Sequence, residues 1–437
     1  MSRRRQGNSA IQQLKDATVH GWYRFVLSYP DHLVSQLIDK FDVRRNHTVL
    51  DPFVGTGTTL VECKKSGINS VGIDANPVTA FASKVKTAWD IDLTEFDRRR
   101  RELLESIRAS IRSIGTQYPH QLSFDDLLPP GTVLHDQNVD DDESLKLLLP
   151  KNWISEIPLR KTLIARRAID TFPNDAITDI FRLALAAVVV TDISNLGFGP
   201  EVYAAKRRED ADVYGAYTEK LRRIRQDLAT VQQIPNPGMT TVYCDDARRL
   251  AALVSGPIDY VITSPPYPNE KDYTRITRLE LILLGFVGEK SDIRRVKKEM
   301  LRSHTRNIYV ADNDSVHVAD VPEIQEIAQE IERRRIERGA TSGFERLYHR
   351  VVTEYFGGMY RVLEQLQQVM PPGGKLALVV GDQMSYFRVP IHTARLLSLL
   401  ACRKLHYAED ETIVWRTRRA TATKMDIEEH ILILKRQ

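Results

Sequence analysis

Ile258 to Tyr267 reads IDYVITSPPY, an apolar β-type run that delivers a hydroxyl, two prolines and an aromatic ring to the end of a strand. Proline fixes φ and lacks an N–H, so Pro265 and Pro266 present backbone carbonyls only. Ser264 beside such a carbonyl supplies the acceptors that an exocyclic amine needs, and Tyr267 offers a face on which a base can stack. Taken alone, the same residues also make a Pro-Pro turn with a surface tyrosine. Upstream, Asp51 to Thr59 reads DPFVGTGTT. Gly55 and Gly57 let backbone approach a ligand closely and free N–H groups at a helix start. No Gly-Lys-Ser/Thr follows, which argues against a triphosphate. Asp74 ends the next β-type run, where a carboxylate accepts ribose hydroxyls. Taken alone, this stretch is also a tight strand-to-helix turn.

The elements that must position these residues follow from periodicity. Residues 31–41 carry apolar groups at Leu33, Val34, Leu37, Ile38 and Phe41, a helical spacing. A short β-type run at 47–50, the glycine loop, a helix from Leu60 to Lys65 and a second run from Asn69 to Ile73 follow. That order is the first half of a doubly wound α/β sheet. From 91 to 240 long charged amphipathic stretches take over, such as Glu95 to Ile114 and Asp175 to Leu196. Breaks at Pro119, Pro129-Pro130, Pro150 and Pro235 to Pro237 separate them. β-type sequence resumes at 241–243 and 258–263, and residues 286–345 are again charged and helical. The end returns to α/β, with a helix from Tyr355 to Met370, a strand from Lys375 to Val380, a helix near 393–400 and a strand from His430 to Leu434. The expectation is a Rossmann-like α/β sheet domain built from 1–90, 241–285 and 346–437. Mainly helical insertions at 91–240 and 286–345 interrupt it.

Composition bounds the function. A chain of 437 residues with 42% apolar and 27% charged residues suits two or three compact units under a well-charged surface. The net charge of +4 is too mild to prove a nucleic-acid partner, so the placement of charge must decide. Leu183 to Val190 is the longest clean apolar run, far short of the ~20 residues that span a bilayer. MSRRRQGNSA has no apolar stretch behind it and is no secretory signal. Cys63, Cys244 and Cys402 are scattered, which excludes a disulfide scaffold and a Cys-x-x-Cys metal knuckle. The chain reads as a soluble cytoplasmic protein with no membrane segment.

The two loops together resemble the DNA amino-methyltransferases, which move a methyl group from S-adenosylmethionine to exocyclic base nitrogens. That family carries a DPF-x-G-x-GTT cofactor loop and a (D/N/S)PP(Y/F) catalytic loop, matched here at 51–59 and 264–267. The resemblance covers roughly half the chain. It implies cofactor binding by Asp51, Pro52, Phe53, Gly55, Gly57, Thr58 and Asp74, with Asp246 near the adenine. It implies catalysis by Ser264, Pro265, Pro266 and Tyr267. The SPPY variant is associated mainly with N4 of cytosine and the D/NPPY variants with N6 of adenine. Here the cofactor half precedes the catalytic half, whereas many cytosine-N4 enzymes run the other way. C5 methylation needs a cysteine nucleophile, usually after proline, and none of the three cysteines follows one.

Double-stranded DNA is therefore the expected partner, with a cognate restriction endonuclease or other defence-system protein beside it. Lys290 to Arg306 holds seven cations against two acids, and Lys297, Lys298, Arg302 and Arg306 are expected to meet phosphates. Asn307 and Tyr309 follow as groups able to read base edges. Arg98 to Arg101 and Lys206 to Arg208 lie among acids and read as solvated faces. Asp272, Tyr273, Arg275 and Arg278 either line the base pocket or fix the catalytic loop. Glu428-Glu429-His430 reads as a strand edge, and no metal signature is present. Adenine-N6 methylation, RNA base methylation and a non-catalytic cofactor-binding DNA-recognition subunit remain as alternatives.

Overall fold

In the computed structural model, residues 18–25, 27–117, 148–198, 202–419 and 426–437 are described. The expected breaks at Pro119 and Pro129-Pro130 lie outside them, as does the N-terminal MSRRRQGNSA. The chain forms two compact units. Of the described residues, those within 28–87, 236–274 and 294–437 make a sheet unit, and those within 1–27, 88–235 and 275–293 make a helical unit.

The strands in chain order are β1 Thr48–Asp51, β2 Asn69–Ile73, β3 Leu196–Phe198, β4 Val202–Ala204, β5 Thr240–Tyr243, β6 Tyr260–Thr263, β7 Lys375–Gly381, β8 Tyr407–Arg419 and β9 Asp426–Arg436. Seven of them form one sheet, in the order β5-β2-β1-β6-β7-β9-β8. The first five are parallel, and β9 lies antiparallel between β7 and β8. The order of travel reverses between β1 and β6, so the two adjacent strands open a crevice at their carboxyl ends. The DPF loop leaves one of them and the SPPY loop the other.

Both faces of this sheet are buried, as parallel strands require. Leu50, Val261, Leu376, Leu378 and Val380 pack one face against the helix Tyr348–Val369. Val49, Ile262, Ala377 and Val379 pack the other against the helix Asp31–Lys40 through Leu33, Val34, Leu37 and Ile38. Of residues 286–345, those from 294 onward belong to the sheet unit. Val318, Val321, Ile324 and Ile331 join the same buried cluster as Val352 and Tyr355, which ties that stretch to the sheet.

In the helical unit, the helices Leu93–Gln117, Glu156–Asp170, Ala176–Val188 and Val213–Val231 bury Phe96, Leu163, Phe181, Leu221 and Ile224. Asp175 caps Ala176–Val188 by accepting the Thr178 N–H at 3.1 Å, the usual way of satisfying a helix's first donors. Trp22 is anchored by its indole N–H on Asp227, 2.8 Å away. A π-turn, Val189–Ile193, leads into the antiparallel ribbon of β3 and β4.

One glycine sets the seat of the cofactor loop. A Cβ on Gly72 of β2 would fall 2.7 Å from Val54 Cγ2 and 2.8 Å from Leu60 Cδ2, so the loop and its helix rest directly on this backbone. Gly72→Ala is expected to cost about 1–3 kcal/mol by overpacking, measured as a lower denaturant midpoint with an unchanged m-value.

Candidate active site

The DPF loop is organised by a carboxylate that water does not reach. Asp51, fully buried at the end of β1, accepts the Phe53 N–H at 3.1 Å and the Thr263 hydroxyl at 2.6 Å on one oxygen. Its other oxygen accepts the Thr59 hydroxyl at 2.7 Å and the Tyr29 hydroxyl at 2.9 Å. Burial raises the Asp51 carboxyl above its ordinary range, against the pull of those hydrogen bonds. Tyr29 and Thr59 are also hydrogen-bonded to each other, so the carboxylate and these hydroxyls form one buried network. Asp51 therefore holds the loop in place from within the fold.

Gly55 and Gly57 stand at φ of 51° and 84°, in the left-handed region that glycine tolerates. Gly57 caps the helix Thr58–Lys65, and a side chain there would meet Ser83 at 3.0 Å. Ser83 in turn donates its hydroxyl to the Gly55 carbonyl at 2.7 Å. Pro52 and Thr58 are buried in the loop, and Phe53 is half-buried against the sheet's larger core. Asp74, at the end of β2, accepts the Gly55 N–H at 2.9 Å and the Asn76 N–H at 2.8 Å, one on each oxygen. The Thr79 hydroxyl also lies against this carboxylate, the acceptor expected for ribose hydroxyls. Burial pushes its carboxyl up to about 6.

Asp246 sits at the end of β5, beside β2. Both of its oxygens are engaged by Arg248, with a 2.7 Å bond from the terminal nitrogen and 3.0 Å bonds from Nε. Arg248 also reaches Asp314 at 2.6 Å, so Asp246 belongs to a buried ion network. The carboxylate expected near the adenine is thus already paired within the chain.

In the catalytic loop, Ser264 donates its hydroxyl to the Val379 carbonyl at 2.9 Å. The donor is spent, and the hydroxyl lone pairs remain as acceptors. Pro265 is buried, while Pro266 and Tyr267 are half-buried. Burial, with the Glu429 carboxylate nearby, pushes the Tyr267 phenol up to about 12. Gly381, at the end of β7, leaves room for the ring: a Cβ there would lie 3.2 Å from Tyr267 Cε2. Thr263, the residue before Ser264, joins the two loops through its bond to Asp51. Tyr29, Thr263, Gly72 and Gly381 carry no motif of their own and are missed by sequence reasoning.

The segment after SPPY is clamped from inside. Asp272 is buried and bonded to Lys297 Nζ at 2.7 Å and to the Thr274 hydroxyl at 2.7 Å. Burial alone would raise its pKa, but the charges of Lys297 and His304 hold it down to about 2. His304 is itself pushed down to about 4 by burial. Glu270 accepts the Thr305 N–H and hydroxyl at 3.0 and 2.7 Å. Of the alternatives for Asp272, fixing the loop is the one the geometry supports. Arg275 and Arg278 belong to the helical unit.

This corrects two of the expected phosphate contacts. Lys297 is spent on Asp272, and buried Arg302 is spent on Asp312 at 2.8 Å and on carbonyls of 297, 298 and 300. Lys298 and Arg306 remain exposed. Tyr309 is ringed by cations, with Arg294, Lys298 and Arg302 lying 5.4, 5.9 and 5.3 Å from its centroid. Arg98 pairs with Glu95 and Glu102, and Arg207 with Glu209, as solvated faces do.

A parallel sheet with an antiparallel strand inserted before its last edge, a glycine loop after β1, an acid after β2 and the SPPY loop after β6 form the Rossmann-like methyltransferase sheet expected from the sequence. A family model described as DNA methylase, for N6 and N4 enzymes, matches residues 5–83. The chain is 27% identical over 407 residues to the type II methyltransferase M.BsoBI of Geobacillus stearothermophilus, covering 86% of this chain and 76% of that one. It is 24% identical over 416 residues to the type II methyltransferase M.AvaI of Nostoc sp., covering 90% of this chain and 80% of that one. The crystal structure of TrmN from Thermus thermophilus aligns with 94% of this chain and 49% of its own, at 10% identity and a TM-score of 0.28, too distant to bear on the fold. The chain is thus similar to DNA amino-methyltransferases over most of its length, and S-adenosylmethionine is its methyl donor. Among the described residues no helix is long and apolar enough to cross a membrane.

Two outcomes test this geometry. Asp74 is expected to accept ribose hydroxyls when ionised, so S-adenosylmethionine affinity should fall as pH drops through about 6. Calorimetry should find that dependence flattened in Asp74→Asn. Lys297→Met leaves Asp272 buried without its cation and is expected to cost about 3–5 kcal/mol in urea unfolding. The salt dependence of DNA binding should stay as in the parent chain.

Proposed function

We propose that this protein methylates N4 of cytosine within a specific duplex DNA sequence, as the modification enzyme of a restriction or defence system. Ser264 carries the reading. Its hydroxyl is turned onto the Val379 carbonyl, which leaves an acceptor, and not a charged carboxylate, at the head of the catalytic loop. The amine of cytosine is a poor nucleophile because its lone pair is delocalised into the ring. Ser264 Oγ and the Pro265 carbonyl would accept its two N–H bonds and favour a pyramidal nitrogen. Held this way, the nitrogen lone pair would point at the methyl group of a bound cofactor, and the amine proton lost on transfer would pass to solvent. When bound, S-adenosylmethionine supplies the electrophilic methyl group. The cofactor loop with Asp74 holds it, and positioning supplies much of the rate.

The target base must leave the duplex, and Tyr267 is the stacking surface for it. Lys298 and Arg306 are the phosphate contacts that survive from the basic run, and the helical unit is assigned to sequence reading. Adenine-N6 methylation is the second reading. The order of motifs, cofactor loop first, favours it, since many cytosine-N4 enzymes carry the reverse order. The intact SPPY loop speaks against a non-catalytic subunit.

Nucleoside mass spectrometry of plasmid DNA from cells expressing the protein should show N4-methylcytosine; N6-methyladenine in its place overturns the base assignment. Ser264→Ala removes an acceptor worth about 1–3 kcal/mol. Single-turnover methylation should fall roughly tenfold to a hundredfold while S-adenosylmethionine affinity holds. Ser264→Asp should still methylate cytosine if the pocket chooses the base. The chemistry needs no metal, so activity should persist in EDTA.

A further inference from the structure

β8 and β9 run on past the end of β7. The last β7 pair is Gly381 with Glu429, whereas β8 and β9 continue through Thr417 with Glu428, Arg418 with Ile427 and Arg419 with Asp426. This extension rises from the same sheet edge as the SPPY loop, with the Asp382 N–H bonded to the Glu428 carbonyl at its base. At its base Glu429 is buried, with 3% of its surface exposed. Arg416 Nε donates to one Glu429 oxygen at 2.6 Å, and Arg418 Nε lies 3.0 Å from the other. The position a Gly381 Cβ would take is 3.2 Å from both Glu429 Cγ and Tyr267 Cε2, so this carboxylate and the catalytic tyrosine meet over one glycine.

A buried carboxylate is neutralised by one cation. Two leave this face with one positive charge in excess, on side chains that are 50% and 38% exposed. The other face of the ribbon carries more acid than base, with Arg419 opposite Asp426 and Glu428 3.3 Å from His430. Each guanidinium meets Glu429 through Nε, and the terminal amino groups of a five-donor fork remain for another acceptor. A phosphodiester suits that fork, and one lies beside any base drawn out of a duplex onto Tyr267.

We infer that Arg416 and Arg418, oriented by Glu429, grip the DNA phosphate flanking the extruded nucleotide, an assignment that rests on the DNA-methylating reading above. Arg416→Ala and Arg418→Ala should each lower the log–log salt slope of duplex binding by about one and raise the KM for DNA. Arg416→Lys should keep the slope. S-adenosylmethionine affinity, which these residues do not touch, reports that each variant is folded. Each single variant leaves Glu429 one cation, which guards against unfolding. If both single variants bind S-adenosylmethionine and show the parent slope, the arginines only neutralise Glu429 and the assignment falls. If the parent chain itself neither binds nor methylates duplex DNA, the functional reading falls first and takes this one with it.

Discussion

The Asp51 carboxylate sits where no water can reach it, and the geometry of both loops depends on how its charge is satisfied. Burying an ionised carboxyl is costly unless every lone pair finds a donor. Those donors come from four places in the sheet unit: the Phe53 amide, Thr59 on the following helix, Tyr29, and Thr263 at the end of β6. The last matters most. β1 and β6 are hydrogen-bonded neighbours at the point where the sheet's order reverses, and a side-chain bond of 2.6 Å adds to that pairing just below the two loops. The spacing between the cofactor loop and the catalytic loop is thereby fixed by backbone pairing and one buried carboxylate together.

Beyond that edge, buried ions take over the work of support. Asp272 with Lys297, Arg302 with Asp312, and Arg248 with Asp246 and Asp314 all lie in the sheet unit and out of solvent. Such pairs add little net stability compared with apolar packing, but they are specific about geometry. The loop after SPPY is short of apolar side chains, so geometry of this kind is what it needs. The basic run 290–306 is thus divided by burial, its inner cations acting as struts and its outer ones, Lys298 and Arg306, left to solvent.

The chemistry proposed for the site asks for neutral acceptors and a flat ring, and the surroundings favour both. Ser264 is oriented by a β7 carbonyl, and Tyr267 stays protonated because burial and the Glu429 carboxylate raise its phenol. A protonated tyrosine keeps a neutral face for a base. Gly381 and Gly72 make room at the two edges of the crevice, one for that ring and one for the cofactor loop.

Much of this was legible in the residues themselves. The helix from Asp31, the strand from Asn69 to Ile73, the strand from Lys375 and both loops follow local rules: period, turn chemistry, and the backbone freedom of Gly55 and Gly57. β8 was not legible, because its pattern, YAEDETIVWRTRR, is that of an edge strand whose outward groups are charged and whose apolar side is thin. Sequence also could not sort the cations, since Lys297 and Lys298 are adjacent and identical in type, and only their position on the helix decides that one is buried on Asp272 and the other exposed. For the same reason Glu429 reads as a strand-edge acid until the sheet brings Arg416, Arg418 and Tyr267 around it. What the sequence determined alone was the chemistry of contiguous loops, which depends on neighbours along the chain. Which charges become struts and which face a ligand was decided by tertiary structure, because burial and ion pairing are properties of residues far apart in sequence.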